Sequence, residues 1–349
     1  MKARDPHKAW RIAVAGCGSI GKRHIKNLLA LRAGEVLAFD VQAERRREVG
    51  ALLGVETVAS IDEVWARQPD VLLVSVPTAL HVPLALAAAQ RGIHLFIEKP
   101  LASSWHGVDR LLGLISQHEI ISLVGCNLRF HPGLAQVKRL LDAGSVGRPL
   151  AARVEVGQYL PDWHPWEDYR RGYSARAELG GGIILDAIHE IDYIRWLLGD
   201  VSQTVCLAGK LSDLEIETED TAALLLGFAN GAVGEVHLDY VQRAYSRSCQ
   251  IIGAEGTIHW DYVAGLVRWY SARTREWSLS TNPADWDANQ MYLDEMVHFL
   301  ACLGGREKPQ LDAAEAAQVL RVALAAKESS RQRRWIDLGG RGWQPNTMS

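Results

Sequence analysis

The sequence is short of several things at once, and each shortage narrows the reading. Its five cysteines, Cys17, Cys126, Cys206, Cys249 and Cys302, are odd in number, and no two stand at C-x-x-C spacing. That argues against a disulfide framework and against a zinc or dithiol centre. A reducing cytoplasm suits thiols that serve as small apolar groups. No apolar run approaches the roughly 18 residues of a membrane-spanning helix. The stretch Met1–Trp10 carries charges with no apolar core behind them, unlike a signal peptide. Neither sign of charge dominates: 38 Lys and Arg against 41 Asp and Glu leave a net charge of -3. A nucleic-acid or anionic-membrane partner would need a concentrated basic field, so neither is expected. Internal repeats and low-complexity segments are absent too. What remains is an ordinary globular composition over 349 residues, enough for about two domains.

What is present is rhythm. In the first third, apolar runs at Ile12–Ala15, Val36–Phe39, Val71–Val76, Ile93–Ile97 and Ile120–Val124 alternate with helical patterns. Strands alternating with helices predict a parallel, doubly wound sheet. Near Gly125 the rhythm changes. A helix over Leu134–Leu141 is followed by a charged, tryptophan-rich loop, three glycines and an amphipathic helix over about Ile183–Leu198. Several β-like segments between Ser202 and Leu279 then read as an antiparallel sheet, and helices over about Trp286–Leu303 and Asp312–Ser330 close the chain. The expected fold class is α/β: a doubly wound cofactor domain at 1–125, and an α/β domain with an open, largely antiparallel sheet at 126–349. The C-terminal helices are free to pack back on the first domain.

Gly16-Cys17-Gly18-Ser19-Ile20-Gly21 spells G-x-G-x-x-G between a strand and a helix. In that context Gly16 permits the tight turn, Gly18 lets backbone approach a pyrophosphate, and Gly21 lets helix and strand pack closely. Cys17, Ser19 and Ile20 complete the cradle, and the helix N-terminus offers N–H groups and the positive end of its dipole. Asp40 ends the second strand, about where the acid that accepts from the adenosine ribose is expected. A carboxylate there repels a 2′-phosphate, so NAD is expected ahead of NADP. The run Arg45-Arg46-Arg47, between Glu44 and Glu48, reads as a solvated helix face.

Three further stretches resemble the Gfo/Idh/MocA family of sugar and polyol oxidoreductases. They are Pro77-Thr78-Ala79-Leu80-His81, Glu98-Lys99-Pro100-Leu101-Ala102, and Gly180-Gly181-Gly182 through Asp186, His189 and Asp192. With the glycine motif, in this order, the resemblance covers nearly the whole chain. It implies an N-terminal Rossmann domain, a C-terminal α/β domain and a nicotinamide cofactor between them. The family's open sheet commonly makes oligomer contacts, which implies a homodimer or homotetramer. It implies that Lys99 touches both substrate and nicotinamide, through a bond to Pro100 that is often cis. Ser75, Pro77, Thr78, His81, Glu98 and Pro100 fall at positions beside the cofactor. Asn127 and Arg129 fall where family members often approach the substrate, and a guanidinium there suits a carboxylate or hydroxyls.

The residues support this chemistry by themselves. Lys99 follows the carboxyl end of a strand, where open parallel sheets bind ligands. An ammonium there can stabilise developing alkoxide charge during hydride transfer. On the later helix, Asp186, His189 and Tyr193 share one stripe at ~100° per residue, with Glu190 beside it and isoleucines on another arc. His189 alone there has an ordinary pKa near working pH, as a proton acceptor from an alcohol needs. Asp186 could bind a substrate hydroxyl or orient the imidazole. Many family members place three residues between this aspartate and histidine; here there are two, so Glu190 or Asp192 could share the role. Lys99 and His189 both stand open as the proton acceptor.

The loop from Tyr159 to Arg171 mixes aromatics, Trp163 and Tyr169 among them, with Asp, Glu, His and Arg. Such a set suits carbohydrate C–H faces and hydroxyls and could cover a substrate; it equally suits an oligomer interface. No metal is expected. The reading is an NAD(P)-dependent, cytoplasmic oxidoreductase of a sugar, sugar acid or polyol. Its alternatives are an NAD-binding sensor without turnover and an enzyme that recycles a tightly held cofactor.

Overall fold

The computed structural model describes residues 9–163, 165, 167–339 and 343–345. Most of the Met1–Trp10 stretch, and His164 and Trp166 of the aromatic loop, lie outside the described residues. The chain divides into two compact units. One holds residues up to Cys126 together with Ala288–Ala317; the other holds Asn127–Asp287 together with residues from Gln318 onward.

The first unit alternates strand and helix: β1 (Trp10–Ala15), α1 (Ser19–Ala30), β2 (Gly34–Phe39), α2 (Ala43–Leu53), β3 (Glu56–Val58), α3 (Ile61–Ala66), β4 (Val71–Val74), α4 (His81–Ala89), β5 (His94–Glu98), α5 (Val108–Gln117) and β6 (Ser122–Gly125). The strands form one sheet in the order β3-β2-β1-β4-β5-β6, and every pairing is parallel. The apolar runs are continuous because a parallel sheet is covered on both faces; all four residues of β4 are buried. Ile12, Val14, Val71, Leu73 and Phe96 of the sheet pack with Ile25 and Leu28 of α1.

The second unit begins with α6 (Pro132–Asp142), β7 (Pro149–Gly157), the short helix α7 (Ile183–Asp186) and α8 (Ile188–Leu198). Then come β8 (Val201–Gly209), β9 (Thr221–Phe228), β10 (Val233–Asp239), β11 (Ser246–Gly253), β12 (Gly256–Asp261), β13 (Leu266–Ser271) and β14 (Glu276–Thr281). The chain returns to the first unit with α9 (Asn289–Leu303), whose Met296 and Phe299 join that unit's core. It ends with α10 (Ala313–Gln332) and β15 (Ile336–Asp337). The nine-stranded sheet runs β14-β13-β12-β11-β7-β10-β9-β8-β15. It is antiparallel except where β10 runs parallel to β7. Alternation is clean: β9 buries Ala222, Leu224, Leu226 and Phe228 and turns Leu225 outward. Helices α7 and α8 lie against β7, β9 and β10, and α6 against β12 and β13, all covering one face.

Two expectations are corrected. The single helix over Ile183–Leu198 is two helices, because Ala187 leaves helical geometry and Glu190 N–H closes on its carbonyl instead. Nor is the segment amphipathic. From Gly181 to Ile194 every residue is buried except His189. Polar side chains that bury against partners are invisible to an apolar period. The last long helix but one begins at Asn289, three residues after Trp286.

Candidate active site

In the first unit the site gathers at the carboxyl ends of β1, β2, β4 and β5. Gly16 has a left-handed φ of 99°, and a Cβ on it would lie 2.2 Å from the Ser75 carbonyl. A Cβ on Gly21 would lie 1.8 Å from the Gly16 carbonyl, so α1 packs on the turn after β1 with no room for a side chain at Gly21. Gly18 differs. The nearest atom to a Cβ would be Arg45 Nη1 at 4.0 Å, which leaves an open cradle at the N-terminus of α1. That N-terminus has no side-chain cap and no acidic residue in its first turn, so its N–H groups suit a phosphate. Ser75 Oγ is buried and has no partner among the described residues, a further polar group that a bound dinucleotide could satisfy. Thr78 is buried in the turn that Pro77 opens.

Asp40 is buried at the end of β2. One carboxylate oxygen accepts from Cys17 N–H and the other from Gln42 N–H, both at 2.8 Å. Cys17 thus braces the loop and directs its N–H to Asp40. Burial and the nearby Asp40 charge push its thiol pKa up to about 11. The arginine run is not wholly solvated. Arg45 Nη1 stands 3.8 Å from Asp40, and Arg46 Nη1 donates to the Asp40 carbonyl at 2.7 Å. Two of the three arginines therefore border Asp40, because α2 begins only three residues after it.

At the end of β5, Glu98 turns inward. Its carboxylate faces His24 Nε2 at 2.6 Å and accepts the Lys99 backbone N–H at 3.2 Å. The Lys99–Pro100 peptide is cis. His81 is buried, with Nδ1 2.8 Å from the Pro100 carbonyl and Nε2 2.9 Å from the Val76 carbonyl. Both Glu98 and His81, expected at the cofactor, therefore act within the unit on the loop that bears Lys99.

In the second unit, Asp186 is buried and accepts from three hydroxyls: Tyr173, Ser174 at 2.6 Å and Tyr240 at 2.9 Å. Burial, with the Asp186 charge beside it, holds the Tyr240 pKa well above its ordinary value. Instead of a free partner for substrate, Asp186 is the centre of a hydroxyl cluster. Trp163 reaches that cluster too, edge-on to Tyr240 with ring centroids 5.3 Å apart. Tyr169 accepts Glu215 N–H through its hydroxyl at 3.3 Å. Arg129, expected at the substrate, is buried and makes a two-pronged pair with Asp192, at 2.9 and 2.6 Å. Neighbouring Asn127 is buried as well. Glu190 is fully buried 2.9 Å from Arg247. Asp192 and Glu190 are thus held in ion pairs, and His189 is the residue of this segment that keeps partial exposure. Among the described residues no group of three His, Cys, Asp or Glu side chains could hold a metal.

His24, Tyr173, Ser174 and Tyr240 were not among the expected site residues. His24 and Glu98 lie 74 positions apart, and no local spacing announces such a pair.

The profile described as an oxidoreductase family with an NAD-binding Rossmann fold matches residues 10–126, and the GFO/IDH/MocA C-terminal domain matches 134–259. Inositol 2-dehydrogenase 3 of Saccharopolyspora erythraea is 30% identical, over 82% of this chain and 85% of its own. The chain belongs to the Gfo/Idh/MocA oxidoreductase family. Myo-inositol 2-dehydrogenase of Thermotoga maritima is 29% identical over 94% of this chain and 98% of its own. Among solved structures, the WlbA dehydrogenase of Bordetella pertussis, in complex with NADH and UDP-GlcNAcA, superposes with a TM-score of 0.84. It is 25% identical, and the match covers 97% of this chain and 100% of that one. As in the family, the parallel unit here is an NAD-binding Rossmann fold, and the mixed sheet is the family's C-terminal domain.

Proposed function

We propose that the protein oxidises a CH–OH group of a sugar, sugar acid or polyol with NAD, or reduces the corresponding carbonyl. The observation that carries this reading is His189: one partly exposed imidazole on a segment otherwise buried from Gly181 to Ile194. When bound, the nicotinamide accepts or returns the hydride. Lys99 donates a hydrogen bond to the reacting oxygen and stabilises its developing negative charge. His189 takes the hydroxyl proton as the C–H hydride leaves and the carbonyl forms; in reduction it returns that proton. Asp186 fixes the hydroxyl cluster around it, and Arg129 holds Asp192 and so the helix bearing His189. The names of the inositol dehydrogenase relatives support a polyol or sugar substrate.

The outer face of the second unit's sheet is assigned to a second copy of the chain in a homo-oligomer. Exposed Leu207 and Leu225 stand there beside the oppositely charged pair Arg153 and Glu235. They border a groove of about 920 Å³ that also reaches His237 and Gln250. The cytoplasm is the assigned compartment, given five buried cysteines. The test is a panel of sugars, sugar acids and polyols with NAD and NADP, read by nicotinamide absorbance. Turnover of at least one polyol or sugar with NAD is expected. NAD binding with no turnover across the panel would leave a sensor instead.

A further inference from the structure

Two fully buried histidines outside the expected proton-transfer set grip the loop that carries Lys99. His24, on α1 one turn beyond the glycine cradle, is 0% exposed and faces Glu98 at 2.6 Å. Its ring is wedged edge-on against Phe96 and Tyr292, with centroids 5.0 and 6.2 Å away. The other Glu98 oxygen accepts the backbone N–H of Lys99. Behind the carboxylate lies Gly125, where a Cβ would come within 3.2–3.3 Å of all three carboxyl atoms. Glu98 thus stands in a slot with one donor on each side. From α4, His81 is 1% exposed, with Nδ1 2.8 Å from the Pro100 carbonyl, to which it can donate, and Nε2 2.9 Å from the Val76 carbonyl.

An imidazole–carboxylate pair buried at the end of a strand is not an economical way to stabilise a fold. Desolvating it costs more than its attraction commonly returns, and apolar residues of like volume often serve stability as well or better. What such a pair does supply is direction. We infer that His24, acting through Glu98, and His81, acting through the Pro100 carbonyl, are positioning residues that fix the Lys99 backbone relative to the glycine cradle. The inference rests on the dehydrogenase reading of Lys99. It deepens that reading by naming what sets the lysine's place. Both histidines sit on helices that start beside the cradle, so the ammonium is referenced to the elements that hold the cofactor. A misplacement of about 1 Å in a reacting group can cost about 10²-fold in rate.

The test uses His24→Leu, His24→Gln, the double variant His24→Leu with Glu98→Leu, and His81→Leu in the full-length protein. Two readouts are taken on each: amide hydrogen exchange at Lys99 without ligands, and steady-state kinetics beside NAD affinity. In His24→Leu and His81→Leu, exchange at Lys99 is expected to accelerate while α5 stays protected. Their kcat is expected to fall about 10- to 100-fold, with NAD affinity and substrate KM within a few-fold of wild type. His24→Gln keeps a donor near the Nε2 position and is expected to recover most of kcat. The double variant is expected to regain thermal stability but not kcat. A purely structural pair predicts the opposite there, with stability and kcat recovering together, and that result would overturn the inference. Unchanged exchange at Lys99 in the single variants would overturn it as well, and so would faster exchange with normal kcat. If the wild type turns over nothing on the panel, the dehydrogenase reading fails by itself, and exchange at Lys99 still decides whether the histidines hold the loop.

Discussion

At the scale of single residues, charge and protonation decide the outcomes. The carboxylate of Asp40 is expected to repel a 2′-phosphate, yet Arg45 and Arg46 already border it. Asp40→Ser should therefore weaken NAD binding and admit NADP, since the repelling carboxylate goes while the guanidiniums remain. Equilibrium binding of both dinucleotides checks this, and a variant that still excludes NADP would remove Asp40 from the selectivity account. His131, the N-cap of α6, accepts Gly133 N–H at 2.9 Å through Nδ1. Burial, with Arg247 nearby, lowers its pKa to about 4. Between its unfolded value near 6.5 and about 4, the unfolded chain binds a proton that the native one refuses. Stability is therefore lost as pH falls through that window, by up to about 3 kcal/mol. His131→Asn keeps a capping acceptor without the titration. Denaturant melts at pH 7 and pH 4.5 should show a smaller acid loss for the variant than for wild type.

Local motifs in the sequence single out candidates: the glycines, Asp40, Lys99 and His189. Which side chains pair with one another was not legible. Arg129 with Asp192, Asp186 with Tyr240, and Glu98 with His24 are pairings across 63, 54 and 74 positions. A motif gives a residue's place along the chain, and only the fold shows which side chain consumes its hydrogen bonds.

Among elements, the strand–turn–helix at the start carries the sharpest contrast. Gly18→Ala meets no atom closer than 4.0 Å, so the melting temperature should hold while NAD affinity drops, because the methyl occupies the phosphate's approach. Gly21→Ala meets the Gly16 carbonyl at 1.8 Å, so both stability and NAD affinity should fall. Thermal melts and NAD titrations on the pair separate the two roles; equal destabilisation by both would contradict them. Five of the parallel sheet's six strands were readable as apolar runs; β3 at the edge, Glu56-Thr57-Val58 with only Val58 buried, was not. The interruption at Ala187 was not, since the isoleucines of α7 and α8 keep a helical period straight across the break.

For the whole molecule, the proposed assembly rests on the exposed Leu207 and Leu225 of the open sheet face. Leu207→Glu with Leu225→Glu should convert a wild-type oligomer to monomers in light scattering, with the circular dichroism spectrum unchanged. A wild-type protein that is already monomeric would remove the interface. In the proposed mechanism Lys99 and His189 act on the substrate rather than hold structure, and the most direct measurement is turnover with NAD affinity on the same samples. Lys99→Met should bind NAD normally and lose nearly all turnover. His189→Ala should lose about 10²–10⁴-fold together with the acidic limb of the pH–rate profile for oxidation. Near-normal turnover in both variants, with NAD bound as tightly as in wild type, would contradict the mechanism.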